Sequence, residues 1–104
     1  MGCVTFHRQG GSDRDPDHDQ LRSLIAELDA YQDDEHPDVS VHDDAGWSLS
    51  AFPSGLVVFQ NIEEAGPVRH LKAVDRRRVF ELFAMLDSGE IAELERLDWN
   101  PGYG

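Results

Sequence analysis

Apolar residues in this chain change their spacing twice, and that double switch limits the folds open to it. Between about residues 17 and 32, Leu21, Leu24, Ile25, Leu28 and Tyr31 recur at steps of three and four, which places them on one face of a helix. From Val39 the period drops to two. Val39 and Val41 alternate with polar residues, Trp47, Leu49 and Ala51 alternate with serines, and Leu56 to Ile62 form a β-branched and aromatic run. Turn-forming stretches separate these runs at Asp43-Asp44-Ala45-Gly46, Pro53-Ser54-Gly55 and Glu63-Glu64-Ala65-Gly66. Val68 to Ala73 reads as a fourth strand, with Pro67 placed where a missing backbone donor does least harm. After Asp75 the helical period returns, with Val79, Phe80, Leu82, Phe83 and Leu86 forming a wide stripe.

The pattern predicts an α+β fold: a four-stranded antiparallel meander covered by an N-terminal helix and two C-terminal helices, in the order α-β-β-β-β-α-α. Asp17 and Asp19 suit the start of the first helix, where carboxylates accept unpaired backbone N–H groups, and Asp75 suits the start of the second. Asp87 and Glu90 have the spacing of a capping box that opens a short last helix, with Ile91, Leu94 and Leu97 facing inward. The segment Trp99-Asn100-Pro101-Gly102-Tyr103 then leaves helical structure. A length of 104 residues suits one core, so residues 17–104 read as a single domain. Residues 1–16, with Gly10-Gly11-Ser12 and interleaved Asp and Arg, read as a poorly ordered segment from which Val4 to Phe6 is available as an edge strand.

Charge is distributed unevenly over this layout. Residues 1–64 hold 14 acidic side chains against three basic ones, whereas residues 65–104 hold seven acids against six bases. Like charges crowded onto a small domain repel one another, so a local excess of this size suggests a surface that meets a basic partner. In a meander the first and third turns emerge at one end of the sheet, which predicts a shared rim of Asp43, Asp44, Glu63 and Glu64 about 10 Å across, two strand spacings. Asp33, Asp34, Glu35 and Asp38 precede the first strand and are expected at the other end, offsetting Arg76, Arg77 and Arg78, which oppose the helix dipole. Trp47, beside the rim, reads either as an interface anchor or as packing under the helices. Trp99 and Tyr103 read as rings that pin the tail, and Phe52, out of phase with Trp47, reads as lying on the open sheet face with Phe59 beside it.

A net charge of −12 argues against nucleic acid or an anionic membrane as a direct ligand, since both require basic patches. The lone Cys3 cannot form an internal disulfide, no apolar run approaches the roughly 18 residues of a membrane span, and no export pattern opens the chain, so the expectation is a cytoplasmic protein. The five histidines, His7, His18, His36, His42 and His70, show no metal-ligand spacing. His42-Asp43 has the look of a phosphohydrolase dyad but lacks further ligands on helices, and Cys3 lacks a fixed base. Neither catalysis, a metal nor a cofactor is therefore expected.

Gly46-Trp47-Ser48-Leu49-Ser50, Ser54-Gly55-Leu56-Val57-Val58-Phe59, Val79-Phe80-Glu81-Leu82-Phe83, Asp87-Ser88-Gly89-Glu90-Ile91 and the closing Trp99 and Gly102-Tyr103 together resemble immunity proteins of bacterial polymorphic-toxin and contact-dependent inhibition systems. The resemblance covers roughly residues 38–104 and rests on hairpin turns, helix starts and a terminal Trp. It implies a small acidic protein, monomeric or weakly dimeric, that binds a cognate toxin tightly and occludes its active site. It carries over no toxin-contacting position. The alternative, from the residues alone, is a small-ligand or regulatory domain that uses the open sheet face around Phe52 and Phe59.

Overall fold

A computed structural model of the chain describes residues 3–6, 12–30, 38–63 and 67–102. The fold is α+β, and its antiparallel sheet is larger than the meander that the sequence suggests. Strands β3 (Val39–Asp43), β4 (Trp47–Ala51), β5 (Val57–Asn61) and β6 (Arg69–Leu71) form that meander, in sequence order. Two further strands, β1 (Cys3–Phe6) and β2 (Ser12–Arg14), extend it beyond β3, and a two-residue strand β7 (Asn100–Pro101) extends it beyond β6. The order across the sheet is β2-β1-β3-β4-β5-β6-β7, seven strands among the described residues instead of four. The physical reason is the meander's own edges: each outer strand presents unpaired backbone groups, and the two ends of the chain supply partners for them. Val4 to Phe6 therefore lies inside the sheet, between β2 and β3, and not at its edge. Cys3–Phe6 and Ser12–Arg14 are strands where the sequence suggested little order, while residues 1, 2 and 7–11 lie outside the described residues.

Period-two alternation assigns the two sheet faces. Directly opposed pairs Thr5–Val41, Val41–Leu49, Leu49–Phe59 and Phe59–Arg69 run as one row across five strands, and Val39, Ala51 and Val57 lie on the same face. Helices α1 (His18–Ala30) and α2 (Arg76–Asp87) cover this face. Leu21, Leu24, Ile25 and Leu28 of α1 and Val79, Leu82, Phe83 and Leu86 of α2 join Val39, Val41, Leu49, Ala51, Val57 and Phe59 in one core. At about 1.5–3 kcal/mol for each large apolar side chain removed from water, this layer dominates the gain on folding. Phe59 is fully buried. That corrects its expected place beside Phe52 on the open face: Phe59 is in phase with Leu49, so it points under the helices.

Helix ends follow local chemistry. Asp17 accepts the Gln20 N–H at 2.8 Å while Gln20 Oε1 accepts the Asp17 N–H at 2.8 Å, a reciprocal capping box at the start of α1. Asp75 accepts the Arg78 N–H at 2.8 Å and caps α2. The box expected at Asp87 and Glu90 does not form. Asp87 is the last residue of α2, and Glu90 makes no side-chain bond at the start of α3 (Ile91–Glu95). Gly89, at φ 77°, instead turns the chain so that the Glu90 N–H reaches Met85 O at 2.9 Å and the Gly89 N–H reaches Leu86 O at 3.0 Å. Downstream, Trp99 donates its indole N–H to Leu94 O at 2.6 Å and stacks on Phe59, 5.1 Å between centroids. Trp99 thus pins the tail, whereas Tyr103 lies outside the described residues. Among the described residues, no helix is long and apolar enough to cross a membrane.

Ser40, His42, Ser48, Ser50, Val58, Gln60 and His70 occupy the opposite face. His42 Nε2 lies 3.2 Å from Ser40 Oγ and 3.4 Å from Ser48 Oγ, and the imidazole meets Phe6 edge-on at 4.8 Å. Burial pushes the His42 pKa below its ordinary 6.5, with the charges of Asp38 and Asp43 pulling weakly the other way.

Two outcomes follow from this packing. Phe59→Ala should lower unfolding free energy by about 3–5 kcal/mol, read from urea titration, because it opens a cavity between two indoles and the helix layer. For His42 the folded state resists protonation, so below pH 6.5 the unfolded chain binds the proton first. This contribution to stability is intact above pH 6.5 and is lost as pH falls through the folded value. His42→Gln should flatten that part of the pH dependence in urea titrations at successive pH values, and an unchanged slope would remove His42 as its source.

Candidate functional site

The β3–β4 turn is built by its own carboxylate. Asp43 Oδ1 accepts the N–H groups of Ala45 and Trp47, both at 2.9 Å, and Asp43 O accepts that of Gly46 at 3.3 Å. Gly46 sits at φ 91°, and a Cβ there would lie 2.7 Å from Asn61 Oδ1 and 2.8 Å from Glu63 Cγ. Glycine thus serves both the turn and the approach of the neighbouring strand. The end of β5 is tied to this turn by two bonds, Ile62 N–H to Gly46 O at 2.8 Å and Asn61 Nδ2 to Ala45 O at 3.2 Å, while Asn61 Oδ1 accepts the Glu63 N–H at 3.0 Å. Asp43, Asp44 and Glu63 therefore lie at one end of the sheet, and Glu63 packs directly over Gly46, closer than strand spacing alone suggests. Glu64 lies outside the described residues.

Two further carboxylates, which sequence reasoning did not single out, reach the same end. Cys3 is opposite Asp43 across the β1–β3 ladder. Its N–H donates to Asp15 Oδ1 at 3.3 Å, and the Asp15 N–H donates to Cys3 O at 2.7 Å. On its other side the Cys3 thiol meets Leu86 O at 3.8 Å and Asp87 O at 4.0 Å, at the C-terminus of α2. Burial, then the charges of Asp87, Asp43 and Asp44, push the thiol pKa up to about 12. A thiol so biased stays protonated at neutral pH, which disfavours the reactive thiolate. The bias also reports the convergence of three carboxylates on one spot. Asp15 is passed over in the sequence because its placement depends on β1 inserting beside β3, a pairing that no local pattern signals, and Asp87 reads there only as a helix cap.

Next to Glu63 stands Ile62, 56% exposed. It ends the β-branched run just before Glu63, and that position was the available signal. Trp47, named as a candidate contact, is half-buried and stacks on Phe59 at 5.1 Å and 17°, anchoring the turn to the core. The bases nearest this end are Arg14 on β2 and Arg69. Arg69 lays its guanidinium over Phe59 at 5.1 Å and buries its Nε without a hydrogen-bond partner.

Of the second acidic group, only Asp38 belongs to the described residues, and it lies at the end of β3 opposite Asp43, as expected. Asp33, Asp34 and Glu35 lie outside the described residues, and Asp38 stands at the start of β3, where its charge reaches His42. The arginines find other partners. Asp29 of α1 takes Arg76 Nη2 at 3.0 Å and Nε at 3.2 Å, Arg76 Nη2 also donates to Pro53 O at 2.8 Å, and Glu81 takes Arg78 at 2.9 Å and Arg77 at 3.9 Å. The Arg76 guanidinium holds the Asp29 carboxyl below its ordinary range. Among the described residues, no group of three or more His, Cys, Asp and Glu is arranged to hold a metal ion.

The turn geometry separates the structural role of Asp43 from its charge. Asp43→Ala should cost about 1–2 kcal/mol, since two backbone N–H groups lose their acceptor. Asp43→Asn keeps that acceptor and should retain most of the stability in a urea titration while removing one negative charge from the rim. Equal losses for both variants would show that charge, and not turn geometry, gives Asp43 its role in stability.

Compared with protein-family models, with curated proteins and with solved structures, the chain finds no match in any of the three.

Proposed function

We propose that this chain is a non-catalytic acidic binding protein, and that it acts as an immunity protein that neutralises a bacterial toxin by direct binding in the cytoplasm of the producing cell. The observation that carries the reading is the gathering of Asp15, Asp43, Asp44, Glu63 and Asp87 at one end of the sheet, with the exposed Ile62 next to Glu63. Carboxylates on one rim focus a negative potential that speeds encounter with a basic surface, while desolvation of an apolar side chain beside them slows release. The partner this surface fits has a basic cleft with a shallow apolar socket. Occlusion of a toxin's active site follows where that cleft is also the catalytic one.

The rim's construction suits such a task. Its turns are fixed by backbone hydrogen bonds from Ile62 to Gly46 and from Ala45 and Trp47 to Asp43, so little ordering is left to be done on binding. Monomeric or weakly dimeric protein would present it to a partner in a one-to-one complex.

The test has two stages. Co-expression of this chain with the toxin encoded beside it should rescue growth, and the purified pair should form a one-to-one complex. In stopped-flow measurements, the double reversal Asp44→Lys, Glu63→Lys should then slow association by about tenfold or more at low ionic strength, with much less effect at high salt. Ile62→Asp should instead act mainly on dissociation. Association that ignores both salt and the charge reversal would defeat the rim as the docking surface, and failure to protect would defeat the immunity role.

A further inference from the structure

We infer that the groove between α1 and α2 is a second binding site, one that takes a small carboxylate with an aromatic or apolar body. The groove encloses about 630 Å³, within the few hundred to a thousand Å³ typical of small-molecule sites. Ala26 and Phe80, over the buried Ile25, supply its apolar surface, and Arg22, Arg76 and Arg77 stand around it together with the carboxylates of Asp29 and Glu81. Phe80 is half-buried, with the Arg22 guanidinium 4.9 Å from its ring centroid and His18 edge-on at 5.5 Å.

The three arginines are not equivalent. Arg76 has its Nε and Nη2 engaged by Asp29 and Pro53 O, which holds it in place as a wall of the groove. Arg22 reaches Asp19 through one contact of 3.2 Å between two exposed side chains, an arrangement worth little in water. Arg77 touches Glu81 only at 3.9 Å, since Glu81 is drawn to Arg78 at 2.9 Å, and the Arg77 side chain is 92% exposed. An incoming carboxylate can therefore take Arg77 and Arg22 without breaking a strong pair, while its apolar body covers Ala26 and the Phe80 ring. Guanidinium groups suit this task because their planar fork matches a carboxylate.

Net charge decides the class of ligand. The chain carries −12 overall, and long-range repulsion grows with the charge of whatever approaches. A nucleic acid or an acidic protein meets that repulsion many times over, whereas a small monoanion meets it once and recovers it locally at the arginines. The site is also separate from the acidic end of the sheet. Arg77 and Asp87 are ten residues apart near opposite ends of α2, about 15 Å along its axis, so the groove can be occupied while the rim is engaged.

The probe is 1-naphthoate, followed by ¹H–¹⁵N NMR on the full chain, with 1-naphthamide as its neutral isostere. Naphthoate should give saturable shifts at the amides of Ala26 and of Arg77 to Phe80, and it should bind about fivefold or more tighter than the amide. Arg22→Gln and Arg77→Gln, at exposed positions, should each weaken naphthoate binding by a similar factor and leave the amide unaffected. Unchanged spectra away from the groove check that each variant folds. Equal affinity for acid and amide, shifts centred elsewhere, insensitivity to both substitutions, or no saturation by about 10 mM would each overturn the assignment.

Discussion

Everything described above hangs on one buried layer, the stripe from Val39, Val41, Leu49, Ala51, Val57 and Phe59 beneath α1 and α2. It fixes the register of the central strands, because a slip of one residue would turn every one of these side chains toward the serine-rich face. It orients Trp47 and Trp99 as well, since both stack on Phe59 from within the same layer. With register fixed, the turns at either end have no freedom in where they emerge. The acidic rim is thus a consequence of core packing carried outward through backbone hydrogen bonds.

That rim opposes the compact state. Carboxylates from four segments of the chain approach one another where β2, β3, β5 and α2 end, and their repulsion weakens the fold that holds them together. Part of the tension is relieved by giving the acids structural duties: Asp43 organises a turn, and Asp15 receives the N–H of Cys3. The helical layer shows the reverse arrangement, with arginines held by Asp29 and Glu81. Acids therefore gather at one end of the sheet while the arginine run is matched at the other, and this polarity underlies both the proposed docking surface and the anion groove.

Much of the fold was legible because its local signals agree. The α1 face, the strands from Val39 to Leu71 and the α2 stripe each have a period that only one structure satisfies, and Asp75 caps α2 as its position suggests. Errors arose where two local readings compete. Asp87 and Glu90 have capping-box spacing, yet Gly89 two residues after Asp87 ends α2 through a left-handed turn, and the backbone bonds it permits outweigh a side-chain cap. Phe59 is expected beside Phe52 on the open face, although its own alternation with Val57 and Asn61 puts it on the buried one. Of the candidate site, Asp43, Asp44 and Glu63 were readable from turn positions, whereas Ile62 passed as one more strand residue.

Taken alone, the sequence settled what each segment becomes, since helical and strand periods, turns and caps are decided by neighbours within a few residues. It also settled that negative charge dominates the first two thirds of the chain. Only the tertiary structure decided which segments meet: that Cys3–Phe6 lies between β2 and β3, that Asp15 and Asp87 join Asp43, and that Asp29 answers Arg76. Those contacts link residues far apart in the chain, and their free energy comes from pairing exposed strand edges and closing one core, quantities that no local stretch of sequence contains.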